Sequence, residues 1–481
     1  MTFSGGTGDR TIAAVATSIM AFAGQAKRGP VNEPIRVQNF IEFERSFGGL
    51  WSDSTLGYAV AHFFQNGGTD ALIVRICGAG AAAARETVGG LPLRAASVGS
   101  WGNSLEVTID LPGAGGDGFN LSIKDKATGA NEIFRNLSMD VNAAGFVTKV
   151  LEQGSSLVGV EATDVPPTMP VSGTQTLSGG ADGSNISDDD ISGPALESQT
   201  QGLWALEKAD LFNLLCIPPP IPAGEIDRQT REAATNYCKT RRALFIVDPP
   251  ASWTSSGAAI SGVGSFMTKT PDAAVFFPRL RASDPLKGGA TADFAPCGAV
   301  AGVMARTDAT RGVWQAPAGL HATLDGVAGL SVALTDDDIG SLDFLGVNCL
   351  RAMPAIGTVV WGARTFSDDA QYKYIPVRRL VLFIEESLFR GTKWAVFEPN
   401  AEPLWAQLRT NVGAFLFSLF KQQAFQGLTP QDAYFVKCEG TTMTQSDIDR
   451  GIVNIVVGIA PVRPAEFVII SISQMAGQTT T

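Results

Sequence analysis

Histidine is nearly missing from this chain: His62 and His321 are the only two in 481 residues. His62 lies inside the apolar run AVAHFF, where a packed structural imidazole is the simpler reading than a catalytic one. No GxSxG elbow, HExxH pair or GxxxxGK[ST] loop occurs. Gly5-Gly6-Thr7-Gly8 lacks the preceding strand that a dinucleotide loop needs. The six cysteines, Cys77, Cys216, Cys238, Cys297, Cys349 and Cys438, are widely spaced without a CxxC pair, so buried reduced thiols are favoured over disulfides or a zinc site. Positive charge is in deficit: 36 Lys and Arg stand against 47 Asp and Glu, a net charge of −11, which argues against nucleic acid and anionic membranes as partners. Long apolar runs are missing too. Arg75 breaks ALIVRICGAGAAAA, and Asn454 falls inside GIVNIVVGIAPV, short of the roughly 18 residues a membrane span requires. The segment TIAAVATSIMAFAGQA (11–26) has no positive lead-in, since Asp9 offsets Arg10, and reads as a buried strand from Ile12 to Gly24 and not a signal peptide.

What is present suits a large folded chain. Hydrophobic residues make up 45% and charged residues 17%, enough to bury a sizeable core in several domains. With 53 Gly and 26 Pro, turns are frequent and strands short. The charge is uneven, because residues 85–200 carry 6 basic against 15 acidic side chains; such a segment keeps a particle soluble when it faces outward.

Along the chain, Leu56 to Gln65 has a helical pattern stopped by Asn66-Gly67-Gly68, and ALIVRIC (71–77) follows as a buried strand. LEVTIDL (105–111), FNLSIKD (119–125) and EIFRNLSM (132–139) alternate as half-exposed strands do. Asp188-Asp189-Asp190 reads as a solvated helix start in preference to a metal site. Strands then return at 211–217, 243–248 and 273–277, with a helix at 227–240 between the first two. The fold class expected is α/β with mixed α+β parts. Its domains are a short N-terminal arm (1–20), a discontinuous α/β domain (21–86 with 200–350), an inserted acidic, mostly β domain (87–199), a C-terminal α+β assembly domain (351–465) and a C-terminal arm (466–481).

The last third organises the rest. Val377, Leu380, Val381, Ile384 and Leu388 form one helical face, and Leu404, Leu408, Val412, Phe415, Leu416 and Leu419 form another. Phe417 and Phe420 widen the second stripe, which either core packing or contact with another subunit would explain. The adjacent Glu385-Glu386 pair points in different helical directions, suiting salt bridges better than paired acid–base work. No catalytic residue, cofactor or metal ligand is assigned. The layout offers surfaces to neighbouring chains.

Many stretches, in order, carry a resemblance: ATSIMAFAGQAKRGPVNEP (16–34), FGG (47–49), FFQNGGTDALIVRI (63–76), AGVMARTDATRGVWQAPAG (301–319), LGVNCLRAMPAIGTVVWGARTF (345–366), YKYIPVRRLVLFIEESL (372–388), FEPN (397–400), GLTPQDAYFVKC (427–438) and APVRPAEFVI (460–469). Together they resemble the tail sheath proteins of contractile phages and related injection systems, while 87–199 shows no such match, as the family's variable outer domain implies. The resemblance implies a structural subunit, not an enzyme. Copies stack as rings around an inner tube in a metastable extended state, then contract and drive the tube through an envelope. Implied partners are further copies, the tube protein, and baseplate and terminal cap proteins, with assembly in the producing cell's cytoplasm and no membrane insertion. The C-terminal domain would lie inward, with the helices 377–390 and 403–422 offering Arg378, Arg379, Glu385, Glu386, Arg409 and Lys421 to the tube. Arms would lend strands to neighbouring copies: Phe467, Val468, Ile469, Ile470, Ser471, Ile472 and Ser473 at the C-terminus, and Ile12, Ala14 and Val15 at the N-terminus. Only MTFSGGTGDR precedes Thr11, in place of the family's longer arm with a PGVY-like motif, so the N-terminal half of such a mesh is expected to be shortened or supplied by another subunit type. A last strand folded onto its own domain, a static shell protein and a soluble α/β enzyme are the alternatives.

Overall fold

Fully apolar runs such as MAFAG, ALIV and AAVFF have no polar face to show water, and strands of that kind belong in a sheet covered on both sides. In the computed structural model, which describes residues 11–111, 118–161 and 168–466, they form the centre of an eight-stranded sheet. Its order is Gly357–Val360, Val347–Met353, Ala273–Phe277, Leu244–Val247, Leu214–Cys216, Met20–Gly24, Ala71–Arg75 and Ile35–Val37. The inner six strands run parallel, with Met20 beside both Leu214 and Ala71. The two edge strands are antiparallel. This sheet belongs to the larger of two compact units, residues 16–310 with 317–373.

One close approach fixes the helical layer. The helix Cys297–Arg311 presents Gly298 and Gly302 to the helix Leu56–Gln65, where an added Cβ would lie 2.0 Å from the Ala59 carbonyl and 2.5 Å from that of Phe63. Only glycine permits backbones that near. His62 lies in the same region, edge-on to Phe294 with ring centroids 5.3 Å apart.

Residues between 84 and 177 close a core of their own, with Leu91, Leu105, Leu121 and Val147 among its members. Its four-stranded antiparallel sheet runs Gly173–Thr176, Leu105–Asp110, Phe119–Asp125 and Asn131–Leu137. In the two middle strands burial alternates residue by residue, as their sequence pattern requires. Arg75, the charge that interrupts the ALIVRIC run, ties this region to the central sheet. Only 1% exposed, it donates from Nε to Ala26 O at 2.8 Å, from Nη1 to Gly29 O at 2.7 Å, and from Nη2 to Lys27 O at 3.2 Å and Val98 O at 3.0 Å. A buried guanidinium with four carbonyl acceptors is satisfied; removing it strands all four.

The smaller unit takes residues 311–316, 374 onward and the described residues up to Val15. Its helices Ile375–Gly391 and Glu402–Lys421 enclose a core of Leu380, Ile384, Val412, Phe415 and Leu416, capped by a two-stranded antiparallel ribbon, Tyr434–Lys437 with Val456–Ile459.

Two expectations change. The strand expected over 12–24 begins only at Met20, because Ile12 and Val15 leave the sheet and pack in the helical core of the smaller unit. The boundary expected at 350/351 falls at 373/374, because Val347 pairs with Val275 and draws the 347–360 hairpin into the large sheet. The acidic run Asp188–Asp190 starts a helix, with Ser187 and Asp190 in a capping box and Asp188 accepting the Asp227 amide at 2.8 Å.

Replacing Arg75 with Met is expected to lower the unfolding free energy by about 3 kcal/mol, measured by chemical denaturation. Arg75→Lys should recover little of it, since an ammonium cannot span four carbonyls.

Candidate functional site: an assembly surface in the C-terminal unit

Open parallel sheets bind ligands beyond the carboxyl ends of their strands, so that region comes first. Here it is occupied by the chain itself. Pro218-Pro219-Pro220 follows Leu214–Cys216, and Pro249-Pro250 follows Leu244–Val247. Arg279 fastens these loops, donating to Pro222 O at 2.6 Å, Gly224 O at 2.8 Å and Pro249 O at 3.3 Å. The adjoining cavity, lined by Thr55, Pro219 and Arg279, measures about 30 Å³, room for a water or two.

Beside it, Asp248 accepts the Cys297 amide at 2.8 Å, and burial pushes its carboxyl up to about 6. Burial moves His62 the other way, down to about 4. Five of the six cysteines are buried, and all six are free thiols; burial raises the Cys216 and Cys297 thiols, which keeps them protonated and unreactive.

The smaller unit displays apolar and backbone groups outward. Phe397 is fully exposed in a left-handed conformation, φ 72°, which a bulky residue adopts only where its surroundings dictate it. Asn400 holds that loop, accepting from the Trp405 indole at 2.8 Å and donating to Ile452 O at 3.1 Å. Val396, Phe389 and Leu428 are exposed as well. The ribbon packs Tyr434, Val436, Val457 and Ile459 on the helical core. Among the described residues no third strand joins it. Ala460 N–H donates to Ala433 O, and antiparallel alternation therefore turns the N–H and C=O of Val457 and Ile459 away from the partner strand. That is an open edge.

The residues singled out from sequence separate by accessibility. Arg378, Arg379 and Glu386 are buried, at 9%, 4% and 7% exposure, with Glu386 accepting from Arg390 Nε at 2.6 Å; as surface contacts they drop out. Arg409 is half-buried, donating to Glu402 at 2.6 Å and to the Cys438 carbonyl. Glu385 and Lys421 are exposed, the latter with its ammonium 4.5 Å from the Phe417 ring centre. Ile12 is buried against Gly391, and Val15 N–H donates to Ser387 Oγ at 3.3 Å, while Ala14 is exposed. The C-terminal segment Phe467–Ser473 lies outside the described residues.

The described residues thus combine an α/β unit whose strand ends carry proline-rich loops with a small helical unit that bears a two-stranded ribbon. Residues 367–474 match the phage tail sheath C-terminal domain. The chain is 27% identical over 173 residues to the tail sheath protein of Vibrio phage KVP40, and 25% identical over 242 residues to a putative prophage major tail sheath protein of Pseudomonas aeruginosa. Those matches take in 36% and 49% of this chain, and 25% and 60% of the relatives' own length. In fold it is similar to the sheath of an extracellular contractile injection system in its contracted state, with a TM-score of 0.62 at 24% identity over 96% of this chain and 93% of that one. The chain therefore carries a tail sheath C-terminal domain and resembles contractile sheath proteins in sequence and fold. Among the described residues no helix is long and apolar enough to cross a membrane.

The two shifted groups give opposite pH dependences. Unfolded His62 takes up a proton near 6.5 and the folded residue only near 4, so stability is lost as pH falls through that window, by about 3 kcal/mol. Asp248 holds its proton to about 6 when folded, against 3.8 unfolded, and adds stability as pH falls between those values. Denaturant titrations at pH 7, 5.5 and 4.5 should show His62→Phe losing less stability on acidification than wild type, and Asp248→Asn losing more.

Proposed function

We propose that this chain is the structural sheath subunit of a contractile tail or injection machine. Copies polymerise around an inner tube in a metastable extended state and contract to drive the tube through a target envelope. The observation that carries this is the open-edged ribbon of a sheath-type C-terminal domain, followed in sequence by FVIISIS. A two-stranded ribbon is marginal alone and has edges that accept strands. The segment 467–473 of a neighbouring copy supplies one. Each added backbone hydrogen bond contributes about 0.5–1.5 kcal/mol, and burial of Ile470 or Ile472 about 1.5–3 kcal/mol. Several kcal/mol per link holds rings together while they rotate.

In this reading the C-terminal unit lies toward the tube and offers it Glu385 and Lys421. The acidic region 87–199 faces outward, the N-terminal residues Ile12 and Val15 stay with their own copy, and baseplate and cap proteins terminate the stack. The filled crevice of the large unit supports a structural and not an enzymatic role, and the fold neighbour's contracted sheath supports the mechanical one. Assembly takes place in the producing cell's cytoplasm.

Ending the chain after Glu466 is expected to leave a folded protein that forms no tubes in electron micrographs, and normal tubes from it would refute strand exchange. Charge reversal at Glu385 and Lys421 together is expected to weaken co-sedimentation with the tube protein while homopolymer formation continues. Unchanged co-sedimentation would remove those two residues from the tube interface.

A further inference from the structure

Glycine inside a strand weakens it and calls for a reason. Gly458 sits in the middle of Val456–Ile459, and its φ is not among the positive ones that only glycine tolerates well. The reason is steric. Phe435 lies directly opposite it in the ladder, and a Cβ on Gly458 would fall 2.1 Å from the Phe435 ring. The ring therefore lies across the glycine backbone, on the ribbon face turned away from the helical core. Phe435 is itself half exposed, so this placement is not enforced by deep burial.

We propose that Phe435 laid over Gly458 is a positioning pair that fixes the register of the ribbon and thereby determines which backbone groups its open edge presents. The inference rests on the strand-exchange reading above. In VVGIA (456–460) Gly458 alone lacks a side chain, so a slip in either direction sets the ring against Val, Ile or Ala. A one-residue slip also turns every side chain of the strand to the other face. Val457 and Ile459 would leave the helical core, and their outward N–H and C=O groups would be exchanged for those of Val456 and Gly458. An incoming strand would then meet the wrong donors, with its apolar side chains on the wrong face. The pair lies within the ladder, so altering it removes no edge donor. It acts only through alignment.

The test uses the full chain as wild type, Phe435→Ala, Phe435→Tyr and Gly458→Val, beside a chain ending at Glu466. The lowest protein concentration that yields sedimenting tubes is compared with amide hydrogen exchange in the unassembled protein. Phe435→Ala and Gly458→Val are expected to raise that concentration at least about threefold and to speed exchange in the ribbon, leaving exchange in the large sheet as in wild type. Phe435→Tyr keeps the ring in place and should assemble as wild type does. If both disruptive variants assemble at the wild-type concentration while the shortened chain does not, the positioning role is overturned and strand exchange survives. If the shortened chain assembles normally, strand exchange itself fails and the proposal with it. Should Phe435→Ala disturb exchange in the large sheet as well, Gly458→Val, which keeps the ring, decides the matter alone.

Discussion

Backbone N–H and C=O groups must be paired once water is withdrawn from them, and among the described residues the C-terminal ribbon has a row of them with no strand beside it. Val457 and Ile459 direct side chains into the helical core and polar backbone groups outward. An edge like this is ordinarily blunted by charge, proline or a bulge. Here the proline, Pro461, arrives only after the strand has ended. In the proposed reading, a small unit built on such an edge is completed by association.

The large unit answers a different requirement. Its six parallel strands are sealed by helices, one pair locked together through Gly298 and Gly302, and the ends of the strands are filled by proline-rich loops tied down by Arg279. Arg75 joins the inserted β region to that frame, bonding Val98 O on one side and the carbonyls of Ala26, Lys27 and Gly29 on the other. These are devices for stiffness. Under the proposed function, a subunit that transmits force needs a body that does not deform, and interfaces worth several kcal/mol each that can be repeated through a polymer.

Much of the fold was legible where local chemistry and long-range packing agree. Asn66-Gly67-Gly68 ends the helix Leu56–Gln65 as glycine in the left-handed region does, and the alternation in LEVTID reports a half-exposed strand. The stretch 12–19 was misjudged because apolarity does not say what a residue packs against: Ile12 chose helices over the sheet. The expected boundary at 350/351 cuts through the 347–360 hairpin because a parallel partner some seventy residues distant, Val275 for Val347, leaves no local trace. Arg378 and Arg379 stand off the main apolar stripe and still are buried, since a stripe marks one face and cannot exclude cover on another. The open edge was visible only as β-prone sequence. Which backbone groups face outward depends on the ladder, and so on Phe435 lying against Gly458.

The central claim is that the ribbon edge is filled by another copy. Tubes assembled from equal parts of light and nitrogen-15-labelled protein, with a photo-crosslinking residue in place of Ile470, would reveal it by mass spectrometry. The account predicts that crosslinks from position 470 reach residues 456–460 and that half of them join light to heavy chains. Crosslinks that join only light to light and heavy to heavy would show the strand folding onto its own copy and would contradict it.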